Sequence, residues 1–138
     1  MKRLLLVVVI AGFTLSTVSP AFAVKQLKDA FGENYAGEKA DAEFKTLVKE
    51  ANCNVCHVDK EDKKKVRNPY GEALHEALEK DKFPMAEFKK EPAKFADQVK
   101  EILKKVEAQE SGDEKHKTFA DRMKAKLLPG GNVKGKKE

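Results

Sequence analysis

Cys53 and Cys56 are the two cysteines of a 138-residue chain, and they stand in the run CNVCH, directly ahead of His57, one of three histidines. Two thiols at this spacing with an imidazole next in line can make a disulfide, part of a zinc site, a thioredoxin-like redox pair, or the two thioether anchors of a haem. Each demands a different surrounding fold. A redox pair belongs at a strand-to-helix junction, a zinc site needs further ligands, and a covalent haem needs apolar helix faces to cover it.

The N-terminus supplies a compartment. Met1-Lys2-Arg3 precedes the apolar run LLLVVVIAGF and then TLSTVSPAFA, which ends in the small-residue site Ala21-Phe22-Ala23. A charged start, an apolar stretch too short to span a bilayer and an A-x-A site read as a signal peptide over 1–23. The mature chain from Val24 is thus expected to be exported, periplasmic and soluble, with no membrane segment left after cleavage. Removing Lys2 and Arg3 leaves 26 basic residues against 23 acidic ones, a formal charge of +3 in place of +5. Charges of both signs interleave, as in DKEDKKKVR, and no aromatic residues alternate with them. A nucleic-acid stacking surface is therefore not expected.

Helical periodicity dominates the rest. Phe44, Leu47, Val48 and Ala51 fall on one helical face, predicting a helix over 41–51 that stops at Asn52. Asn68-Pro69 offers an N-cap followed by proline at the first helical position, predicting a helix over 69–80 with Tyr70, Leu74, Ala77 and Leu78 on one side. A third helix starts near Pro92 and carries Phe95, Val99, Ile102, Leu103 and Val106. Thr118, with Asp121 three residues on, caps a short last helix whose apolar side is Phe119, Met123 and Leu127, before Pro129-Gly130-Gly131 stops it. The expectation is an all-α domain over 38–131 of about four helices, a loosely attached leader over 24–37 and a disordered basic tail over 132–138.

This setting weighs the readings of CNVCH. A disulfide across two residues closes too small a loop to be a useful staple. No βαβ pattern supports a redox pair, and a zinc site would need a fourth ligand, for which only His75 and His116 remain. One covalent haem accounts for every residue of the motif: Cys53 and Cys56 would reach the two vinyl groups and His57 would ligate the iron.

CNVCH behind an amphipathic helix, with NPYG following so that Pro69 lies twelve residues after His57, resembles the small monohaem class I c-type cytochromes. The resemblance implies a cytochrome c-like fold around a haem c. It also implies that the Pro69 carbonyl accepts from the free N–H of the His57 ring, although Asn68 stands where that family usually has glycine. RNPYG and the later KLLPGG are also similar, more weakly, to small monohaem cytochromes of planctomycete and anaerobic ammonium-oxidising bacteria. Some of those are thought to pair and bind nitric oxide opposite a distal cysteine. This chain has no third cysteine to carry that ligation over.

The second axial ligand decides the function. Met85, after the helix-breaking Pro84, is the first choice for the distal position, with Met123, His75, His116 or an open iron as alternatives. A second strong ligand makes an electron carrier and no enzyme, the primary expectation. An open iron makes a binder of nitric oxide or carbon monoxide, and peroxidase turnover ranks third because no distal His and Arg pair is recognisable. Lys60, Lys63, Lys64, Lys65 and Arg67 follow the haem histidine and could steer a redox partner with an acidic surface. Phe31, Tyr35 and Phe83 could cover the haem or a second copy of the chain.

Overall fold

A computed structural model describes residues 25–62 and 65–137. Residues 1–24, where the signal peptide was expected, and Lys63, Lys64 and Glu138 lie outside the described residues. The architecture is all-α: α1 Lys25–Tyr35, α2 Ala42–Ala51, α3 Pro69–Lys80, α4 Met85–Lys90, α5 Ala96–Glu107 and α6 Phe119–Lys124, with 3-10 turns at Asn52–Val55 and Pro92–Phe95. Among the described residues no strand forms, only isolated bridges between His57 and Arg67 and between Glu110 and Thr118. No described helix is long and apolar enough to cross a membrane.

The central element is α5. Its Val99, Ile102, Leu103 and Val106 are all nearly inaccessible, and α1, α3 and α6 pack against it. Each such side chain contributes about 1.5–3 kcal/mol by leaving water, so this stripe outweighs any local helix preference. Two aromatic clusters extend the core. Tyr70 stands between Phe31 and Phe119 with edge-on ring centroids at 5.6 and 5.2 Å. Phe83, Phe88 and Phe95 form the other, at 5.3 to 6.2 Å.

The predicted starts and stops recur as local chemistry. Asp41 caps α2 by accepting from the amides of Glu43 and Phe44. Thr118 and Asp121 form a reciprocal capping box on α6. Leu128, rather than Leu127, is the leucine buried beyond α6.

Two expectations are corrected. The segment 24–37 was expected to be a loose leader, yet 25–35 is α1, and its Phe31 is 1% exposed in the core. Tyr35 Oη also donates to Glu107 Oε2 at 2.6 Å, tying the end of α1 to the end of α5. Leu27, Phe31 and Tyr35 share one helical face, a short stripe that becomes a packing surface against α5 and Tyr70 of α3. The tail over 132–138 was expected to be disordered. Instead Asn132 Oδ1 accepts from the amides of Lys134 and Lys136, and the amide of Gly135 donates to Asn132 O, closing a compact loop. The six α-helices among the described residues exceed the expected four by α1 and by α4, which at six residues is too short to leave a periodic signal.

Candidate functional site

CNVCH begins where α2 ends. Asn52, in a left-handed conformation at φ 52°, terminates α2, and the chain continues as a 3-10 turn whose Cys53 O accepts from the amides of Cys56 and His57 at 3.3 and 3.1 Å. An i to i+3 turn sets positions 53 and 56 on one side of the backbone. Both cysteines are half-buried and unlinked. α1 flanks the turn, where Lys28 Nζ donates to Asn52 Oδ1 at 3.3 Å.

The returning segment before α3 holds the motif from a second side. The Asn68 amide donates to Cys56 O at 3.0 Å, and the His57 and Arg67 backbones pair antiparallel. Asn68 is 2% exposed and uses its whole carboxamide. Nδ2 donates to Asn54 O at 3.0 Å and Val55 O at 2.9 Å, while Oδ1 accepts from the Gly71 amide as the cap of α3. Gly71 lies so close that a Cβ there would stand 2.0 Å from Cys56 O, which explains glycine in NPYG. The sequence showed Asn68 as a cap; that the same side chain clamps the motif was not visible in it.

His57 Nδ1 lies 3.3 Å from Val66 O. A carbonyl on Nδ1 favours the tautomer with its proton there and its lone pair on Nε2, the form in which imidazole binds a metal. The carbonyl brought to this ring nitrogen is thus Val66's, three residues ahead of Pro69, which instead opens α3 as its first residue.

The two thiols sit in different electrostatic surroundings. Burial, with Cys53 adding to it, pushes the Cys56 thiol up to about 12. A thiol held protonated is a poor nucleophile, so Cys56 is not itself primed to attack, and a redox-pair reading would rest on Cys53. Among the described residues no three His, Cys, Asp or Glu side chains converge to hold a metal ion. Beside the motif, the Tyr70 hydroxyl is buried and makes no hydrogen bond among the described residues. Burial raises its pKa well above the ordinary phenol value, and Cys56 adds to the rise, so this donor stays protonated within electrostatic reach of the thiol. Leaving such a group unmade costs about 1–3 kcal/mol, and an acceptor on a group bound at the cysteines would remove that cost. Two unlinked thiols on one side of a turn, a carbonyl-oriented imidazole and an orphaned donor fit a haem held by Cys53, Cys56 and His57.

The other predicted residues are dispersed. His75 Nε2 sits 3.4 Å from Glu79, as its position on the polar flank of α3 implied, and His116 Nδ1 sits 3.1 Å from Asp113. Met85 opens α4 and is half-buried against the core. Met123 lines a cavity of about 360 Å³ together with Tyr35, Phe44, Glu107 and Ala120. Lys60 and Lys65 are exposed, while Arg67 is half-buried and paired with Glu72 at 3.4 Å. Phe31 and Phe83 are core residues, buried within the chain itself. The contacts that Asn54 and Gly135 make at the motif were not visible in the sequence, and Asn68 was legible there only as a helix cap. The chain matches no protein-family model, no curated protein and no solved structure.

Proposed function

We propose that this chain is a small exported c-type cytochrome that carries single electrons in the periplasm, with one haem c bound covalently through Cys53 and Cys56 and ligated by His57. The observation that carries the reading is CNVCH as it is folded, with two unlinked thiols on one turn and the His57 ring oriented by Val66 O. When bound, the haem would supply a one-electron Fe(III)/Fe(II) couple. The protein's part is to hold the imidazole in its metal-binding tautomer, to keep water from the α5 face and to offer Tyr70 as a donor. Exposed Lys60 and Lys65 beside the motif would favour a partner with an acidic surface.

A second reading, an open iron that binds nitric oxide or carbon monoxide, is favoured by one observation. The two other histidines are each engaged by a carboxylate, His75 by Glu79 and His116 by Asp113. That leaves Met85, the first choice, and Met123 as the remaining candidates for a sixth ligand. The test is to mature the exported chain with the haem-attachment machinery present and record its spectra with and without carbon monoxide. A low-spin protein indifferent to carbon monoxide, made high-spin by Met85→Ala or Met123→Ala, is expected for the carrier. High-spin iron that takes up carbon monoxide selects the sensor, and a chain with no covalent haem overturns both.

A further inference from the structure

The loop 132–136 is folded onto the one stretch of chain that carries the chemistry. Asn54 Nδ2 donates to Val133 O at 3.2 Å, and the Asp59 amide donates to Lys134 O at 2.8 Å. Next in the chain is Gly135, buried, at φ +68°. Its approach is so close that a Cβ would stand 1.8 Å from His57 O and 3.0 Å from Asn54 O. The root of the loop is fixed as well, since a Cβ on Gly130 would stand 2.2 Å from Asn68 Oδ1. The backbone of CNVCH is therefore gripped between Asn68 on one side and the C-terminal loop on the other.

We propose that the loop 132–136 is a positioning strap for His57: by accepting from the Asn54 side-chain amide and the Asp59 backbone amide and packing Gly135 against the His57 carbonyl, it fixes the backbone from which the axial imidazole projects. The strap completes what Val66 O begins. Val66 O sets the tautomer and one point of the ring, and the strap removes the main-chain rotation that would let the ring swing about that point. The role deepens the haem reading and rests on it.

Gly112 provides the matched control. It too has a left-handed backbone, at φ +72°, but a Cβ there meets only the flexible end of Lys137, at 3.6 Å. Gly135→Ala and Gly112→Ala thus carry the same backbone strain, and only the first forces the strap off the motif. In the haem-loaded full chain, ferric electron paramagnetic resonance reports the spread of imidazole orientations. Wild type and Gly112→Ala are expected to show one narrow signal. Gly135→Ala, and Asn54→Ala, which removes the bond to Val133 without touching a glycine, are expected to lose it to a split or broadened one. Equal spectra for Gly135→Ala and Gly112→Ala, with Asn54→Ala like wild type, would overturn the strap.

Amide exchange separates this from failure of the haem reading. The Asp59 amide should exchange at least about tenfold faster in Gly135→Ala than in Gly112→Ala, with or without haem. If the wild type carries no covalent haem, the haem reading falls, and unchanged Asp59 protection in Gly135→Ala overturns the strap on its own.

Discussion

Asn68→Ala is the substitution that most directly probes how the motif is held. The Asn68 side chain makes three hydrogen bonds from a site 2% exposed, at 3.0, 2.9 and 2.9 Å. Loss of the helix cap costs about 1 kcal/mol. The carbonyls of Asn54 and Val55 lose their side-chain donor, at about 1–3 kcal/mol for each one left unmade. A total of about 3–7 kcal/mol follows, which for a domain of this size lowers the thermal midpoint by roughly 10 °C or more. Asn68→Asp divides the total, since it keeps the capping oxygen but sets a carboxylate oxygen against two carbonyls. It is expected to be at least as damaging as alanine. Urea unfolding followed by circular dichroism measures both. A loss under about 1 kcal/mol for Asn68→Ala, or an Asn68→Asp protein as stable as wild type, would refute the clamp and leave Asn68 as a cap alone.

Three further outcomes follow from the contacts. Phe31→Ala is expected to cost about 3–5 kcal/mol in urea unfolding, because α1 is docked in the core; a loss near zero would restore the loose leader. Tyr35→Phe removes the bond to Glu107 and should cost about 0.5–1.5 kcal/mol in the same assay without displacing α1. The Asp113 carboxyl is held well below its ordinary value by the Lys115 amide first, then by the His116 side chain, with Arg122 adding to it. A depressed carboxyl stabilises the fold above its unfolded pKa, about 4, and that contribution is lost as pH falls below it. The thermal midpoint should therefore drop between about pH 5 and pH 2, and Asp113→Asn should make the drop shallower. An identical slope in wild type and Asp113→Asn would contradict this, the remaining slope coming from Asp29, Asp41 and Asp121, all lowered by their own partners.

The helix α2, its end at Asn52, the Asn68 cap, the apolar stripe of α5 and the capping box of α6 were all legible in the sequence. Each rests on residues within one or two turns of one another, where periodicity and capping chemistry act locally. The motif's composition was legible for the same reason. The 3-10 turn that sets Cys53 and Cys56 on one side, however, is a backbone geometry that the letters CNVCH do not state.

The sequence by itself determined an all-α chain with a thiol pair and an imidazole at the end of its first strongly periodic helix. Only the tertiary structure decided what surrounds them. It brought Val66 rather than Pro69 to the His57 ring and turned the expected leader into α1. It also folded the expected tail over the motif, through a bond between residues 79 positions apart, from Asn54 to Val133. Contacts of that span leave no periodic trace, because they depend on close approach of two backbones, and glycine, which permits the approach, looks the same in a loose turn as in a tight one.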